Sequence, residues 1–232
     1  MKRFAPHALA ILICFTGCKK AGVALSPLGS LNFVNATVNL ASAKVNFTNL
    51  KGLYSSTSTT TAYGGYTQYG INAGVTVPIT VVSVADTNTA VFTGNFNFVN
   101  GSIYSLYLAG TTTAVDTVFA LDNIPSHPDS SCGVRFINLS YNSSPIVITL
   151  ASTPTVIEFN SLAYKQSSAF KTYPALATNG TYAFQVRDAI TNNLLGSYTL
   201  TTPRFFNCTL VWKGMTGATG TNAPGIARVN NY

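Results

Sequence analysis

The chain repeats itself, and that constrains its fold more than any other feature. Laid over itself at an offset of roughly 102 residues, it shows matching segments in unbroken order. LNFVNAT (31–37) falls on VRFINLS (134–140), AYGGYTQY (62–69) on AYKQSSAF (163–170), VADTNTAVFTG (84–94) on VRDAITNNLLG (186–196), and YSLYLAG (104–110) on CTLVWKG (208–214). A unit that recurs in this way has to close its own core within about a hundred residues and do so twice.

The local pattern says what kind of unit it is. The runs LNFVNAT, VPITVVSVA (77–85), FNFVNGSIYSLYLAG (96–110), VRFINLS, PIVITLA (145–151), TYAFQVRD (181–188) and NCTLVWKG (207–214) are rich in β-branched and aromatic residues and often alternate in polarity. Between them stand turn formers: Gly64-Gly65, Asp86-Thr87-Asn88, Asn100-Gly101, Asn179-Gly180 and Asn192-Asn193. No amphipathic helical period is present. The expectation is an all-β chain of two tandem immunoglobulin-like antiparallel β-sandwiches of about seven strands each. A single larger barrel or sandwich is the other architecture. The boundaries expected are a first repeat over residues 30–122, a linker over 123–132 whose prolines cannot sustain a central strand, and a second repeat over 133–232.

Ahead of the repeats, residues 1–17 have the layout of a secretory signal. Lys2 and Arg3 open it, an apolar run follows from Ala8 to Phe15, and Gly17 precedes Cys18. That run is about eight residues long, whereas crossing a bilayer as a helix takes roughly 20. Phe15-Thr16-Gly17-Cys18 resembles the bacterial lipobox, with Phe where Leu is commoner. The resemblance implies cleavage before Cys18, lipid on that cysteine, and a tether over residues 18–29. The membrane is then a partner through the anchor, and the cell envelope, the outer membrane in particular, is the expected location. Which face of that membrane carries the protein stays open, since Lys19-Lys20-Ala21-Gly22 includes no acidic residue of the kind associated with surface display.

Composition excludes several functions. Loss of Lys2 and Arg3 takes the formal charge from +7 to +5, and the remaining basic residues are scattered singly after Lys20, so no nucleic-acid surface is expected. Charged residues are 8% of the chain against roughly 25% in an average soluble domain, which leaves little for catalysis. The processed chain has one histidine, His127, expected to be an exposed linker residue, and six scattered acids. Asp86 and Asp188 match between repeats and open turns. No catalytic residue, metal site or cofactor is expected.

Two cysteines remain in an oxidising compartment once Cys14 and Cys18 are set aside. Cys132 stands just before one strand and Cys208 opens another, so a disulfide between them is expected, with two separate buried thiols as the alternative. Tyr66 is the aromatic of the cluster Tyr63, Tyr66 and Tyr69 without a counterpart in the other repeat, which makes it the candidate ligand contact. Asp116-Thr117-Val118 resembles a Bacteroidetes O-glycosylation motif, with Thr117 as the acceptor.

VRFINLS, SLAYKQSSAFKTYPAL (161–176), TYAFQVRD and TLVWKG together resemble the domain-of-unknown-function 4397 family, with Ser140-Tyr141-Asn142-Ser143-Ser144 where that family carries a proline and aspartate cluster. The resemblance implies β-sandwich repeats in an envelope lipoprotein and no enzymatic activity. The expected role is therefore a non-catalytic spacer or interaction module for an envelope protein or ligand, with a glycan-binding accessory protein as the second reading.

Overall fold

A computed structural model describes residues 26–48, 54, 59–202 and 204–231. Cys14, Cys18 and the expected signal lie outside the described residues. Sixteen strands follow in order: β1 (Leu28–Asn35), β2 (Ser42–Asn46), β3 (Thr60–Ala62), β4 (Tyr66–Asn72), β5 (Thr76–Ser83), β6 (Ala90–Asn97), β7 (Ile103–Thr111), β8 (Ala114–Leu121), β9 (Ser131–Tyr141), β10 (Ile146–Leu150), β11 (Thr153–Leu162), β12 (Lys171–Pro174), β13 (Thr181–Asp188), β14 (Leu194–Thr201), β15 (Asn207–Met215) and β16 (Gly225–Asn231). The helical content among the described residues is two single 3₁₀ turns.

The protein is all-β, and its second eight strands repeat the connections of the first eight. The sheets β4-β1-β7-β8 and β3-β2-β5-β6 make one sandwich, and β12-β9-β15-β16 and β11-β10-β13-β14 make the other. The register repeats too, since Leu31 faces Tyr104 just as Val134 faces Cys208. Each sandwich has eight strands where about seven were expected, and one pairing in each is not antiparallel. β1 lies parallel to β7, and β9 to β15, because each opening strand is separated from its neighbour by an excursion through the opposite sheet.

Alternation accounts for the two cores. Leu31 and Phe33 of β1, Ile79 and Val81 of β5, and Leu106 and Leu108 of β7 fill the first. Val134 and Phe136 of β9, Phe184 and Val186 of β13, and Leu210 and Trp212 of β15 fill the second. Gly110 and Gly214, the matched glycines that close the strand β7 and lie near the end of β15, have φ of +76° and +110°. A Cβ there would come within 2.2 Å of the Ala114 carbonyl oxygen or 2.5 Å of that of Ala223, so both positions require glycine.

The other face of the β1–β7 and β9–β15 sheets is also apolar, and the two sandwiches meet across it. Val34, Ala36 and Tyr107 from the first repeat and their counterparts Ile137, Leu139 and Val211 from the second form a third buried cluster. Equivalent positions of the two repeats thus meet in one cluster, with β7 lying against β9. Polar groups close the seam. Arg135 pairs with Asp122 and bonds the Tyr107 hydroxyl and Thr209, while Ser105 donates to the other Asp122 oxygen. Burial opposes the charge on Arg135, but Tyr107 and Asp122 outweigh it and raise its pKa. Tyr164 and Lys165 both bond Asp116, and Asn222 bonds Asn39.

The linker is part of this packing, which corrects the expectation for His127. Its ring is buried, with Nε2 2.9 Å from Asn207 Oδ1 and Nδ1 3.0 Å from Ser131 Oγ. Asn207 also donates to the Pro125 carbonyl. With both ends of the segment held, limited proteolysis should spare residues 123–132, and an early cut there would overturn this account.

The expected disulfide is absent, and the parallel ladder gives the reason. Cys132 and Cys208 are free buried thiols, with Cys208 opposite Val134, so the two are offset by two positions along adjacent strands. Strands about 4.8 Å apart and a slip of about 6.6 Å along the strand exceed the roughly 4.4–6.8 Å Cα separation that a bridge spans. Burial pushes the Cys208 thiol up to about 12, and that of Cys132 upward as well. The folded state therefore keeps protons that the unfolded chain surrenders near the ordinary value of 9.0. Stability should fall as pH rises from there toward 12. Without reductant, alkylation should reach Cys132 and Cys208 only after denaturation; a cross-linked peptide pair would refute the free-thiol state.

Candidate functional site

A groove of about 560 Å³ lies on the outer face of the β2–β5–β6 sheet. It exists because β2 stops short. The β2–β5 ladder ends at Asn46 opposite Thr80, while β5 runs on through Pro78 to Thr76, still paired with β6. Pro78 has no N–H to offer a strand on the β2 side, so the ladder cannot continue past it. Asn46, Thr48 and Tyr54 border the gap so left, and Thr93, Gly94 and Asn95 of β6 form the opposite wall.

Eight of the thirteen lining residues carry an amide or a hydroxyl, and none carries a charge. Thr48 donates through its backbone N–H and its hydroxyl to Asn46 Oδ1, both at 2.8 Å, which fixes the amide's orientation. Burial raises the pKa of Tyr54, opposed by its hydrogen bond with Asn46, so the hydroxyl stays a neutral donor. Pro78, Val82 and Ala90 supply an apolar floor. Such a surface can hold an uncharged ligand by hydrogen bonds and ring contact.

The residues singled out from sequence lie elsewhere. Tyr66 is half-buried against the seam between the sandwiches, opposite Val34, and does not line the groove. Thr117 is half-buried on β8, between Asp116, which is held by Tyr164 and Lys165, and Val118, which lies against the seam. Asp86 and Asp188 do cap turns: Asp86 Oδ1 accepts from the Asn88 N–H, and Asp188 Oδ1 from those of Ile190 and Thr191. Hydrogen bonds from Thr89 to Asp86 and from the Thr191 and Ile190 backbone to Asp188 hold both carboxyls below the usual range. Among the described residues, no three His, Cys, Asp or Glu side chains gather as metal ligands would. The groove itself was missed, because its walls come from residues far apart in the chain. Pro78 inside an apolar strand run was the signal available.

No protein-family model matches the chain, and no curated protein sequence does. Among solved structures the chain is similar to CBMbc, a family CBM26 module from Eubacterium rectale Amy13K in complex with maltoheptaose. That match is 7% identical, covers 84% of this chain and 96% of the other, and has a TM-score of 0.27. At that score no site or ligand transfers from one to the other.

Proposed function

We propose that this chain is a non-catalytic bacterial envelope lipoprotein, held by lipid on Cys18, that binds a neutral glycan in the β2–β5–β6 groove. The observation that carries the reading is the described lining of that groove, which offers amides, hydroxyls and one tyrosine ring without a charged group. A carbohydrate presents the complementary surface of hydroxyls and apolar C–H faces. Among the described lining residues there is no carboxylate or imidazole of the kind that hydrolysis would use as acid or base. The welded seam supports the module reading as well, since it holds both sandwiches as one body.

Calorimetric titration against a panel of neutral oligosaccharides tests this. At least one should bind, and Tyr54→Ala should weaken it by up to about tenfold, the equivalent of about 0.5–1.5 kcal/mol of ring contact. Asn95→Ala should weaken it as well, while the fold stays intact. A second reading, a rigid spacer without a ligand, is favoured by the buried seam. It is what remains if the whole panel fails to bind.

A further inference from the structure

The two sandwiches stand side by side with their leading strands running the same way, and this gathers six exposed apolar side chains from both repeats at one end. Asn39 meets Asn222 near the end where β1 and β15 finish. Asp122 meets Arg135, and Asn207 reaches Pro125, nearer the end where β1, β7, β9 and β15 begin. At that second end the connections into β5, β7, β13 and β15 come together with the start of β1. Leu28, Val75, Val99, Leu176, Phe205 and Phe206 are there, each between 48% and 62% exposed.

Phe205 adds an independent sign. It holds φ at +65°, in the turn where the first repeat has Gly101 at +75°. A phenylalanine in this region is strained where a glycine is not, and such strain persists where the surrounding structure enforces it. Here the Phe205 N–H is fixed on the Ser131 carbonyl and Arg204 Nε on that of Ala175. The result is a pair of phenylalanine rings in solvent with a guanidinium beside them, the combination that suits a bilayer interface.

The chain also enters the fold at this end. Pro27 accepts a hydrogen bond from the Ala73 N–H, and nine positions separate it from Cys18. Fully extended, that stretch reaches at most about 30 Å. A lipid on Cys18 would therefore hold this apolar end within about 30 Å of the membrane, near enough to touch its surface. We infer that the end formed by Phe205, Phe206, Leu176, Val99, Val75 and Leu28 docks onto the bilayer that carries the anchor. This rests on the lipid-anchor reading above.

The test uses the full lipidated chain in vesicles of phosphatidylethanolamine and phosphatidylglycerol whose acyl chains are brominated. Two reporters are compared, Phe206→Trp at the docking end and Ile190→Trp at the opposite end, over the constant background of buried Trp212. Flotation of each preparation is measured alongside that of Cys18→Ala. Expected is flotation that depends on Cys18, with the Phe206→Trp emission shifted to the blue and mostly quenched and the Ile190→Trp emission unchanged. Flotation with both reporters alike would overturn the docking alone and leave the anchor, with another protein or a second copy as the occupant of the patch. Failure of the unmutated chain to float would overturn the anchor, and the docking with it.

Discussion

Replacing Arg135 with alanine should cost about 3–5 kcal/mol of unfolding free energy, the range for breaking a buried ion pair by removing one partner. The Asp122 side chain has no exposed surface and that of Arg135 only 8%, so water cannot replace the lost cation. Ser105 would still donate to Asp122, but one hydrogen bond does not compensate a buried carboxylate. The substitution also removes the donor to the Tyr107 hydroxyl across the seam, while the Thr209 hydroxyl keeps only its bond to Asn231. Denaturant melts should therefore show a lower midpoint and, with the sandwiches uncoupled, a broader transition. The paired change Arg135→Met with Asp122→Leu should recover most of the loss, because apolar side chains of similar volume satisfy a buried site without desolvating charge. A loss below about 1 kcal/mol for Arg135→Ala would mean that the pair is solvated as surface pairs are, and the description of the seam would fail.

Much of the fold was legible because a sandwich writes its inner face into the sequence with period two. TYAFQVRD corresponds to β13 from end to end, and the matched segments mark equivalent strands in equivalent register. The tight turns were legible for a conformational reason: Gly64, Gly101 and Asn192 do adopt positive φ. Less visible was the seam. Its trace is that β1, β7, β9 and β15 are apolar on both faces, as continuous runs such as SLYLAG and TLVW are when a strand is covered on both sides. Read singly, Arg135 is one scattered base and Asp122 one acid at the end of the first repeat, and nothing local in the sequence pairs them.

The same limit applied to the candidate site. Tyr66 stands out in the sequence because its counterpart is a serine, and that departure from the repeat is what makes it a candidate contact. In the fold, Tyr66 faces Val34 and Ser167 faces Ile137, so the difference is how each half of the seam fills its space. The groove is built from strands far apart in the chain, and a ladder that stops early, as β2 does against β5, leaves no mark in composition.

Asn138→Ala should lower stability by about 2–4 kcal/mol, from orphaned backbone groups at about 1–3 kcal/mol each, and Asn35→Ala should do the same. These asparagines are the matched polar residues inside VRFINLS and LNFVNAT, and both are fully buried. Asn138 Oδ1 accepts from the Ser140 N–H and its Nδ2 donates to the Leu162 carbonyl, each at 3.1 Å. Asn35 accepts from the Thr37 N–H at 3.2 Å and donates to the carbonyls of Leu40 and Thr61 at 3.0 and 3.3 Å. In both repeats the amide thus ties the end of the leading strand to the strand that closes the opposite sheet, β3 or β11, where the chain leaves one layer for the other. The job needs one acceptor and two donors on a short side chain, which asparagine alone provides. Asn138→Asp separates donor loss from shape. Ionised, it keeps the acceptor but loses both donors and buries a charge, so it should be at least as destabilising as alanine at neutral pH. Protonation restores one donor and burial raises the folded-state pKa, so its deficit relative to the unmutated chain should shrink as pH falls through that raised pKa toward the ordinary carboxylate value and be constant below it. A deficit that does not change with pH, or an alanine variant within about 0.5 kcal/mol of the parent, as an ordinary surface substitution would be, would remove the amide staple from the account of the fold.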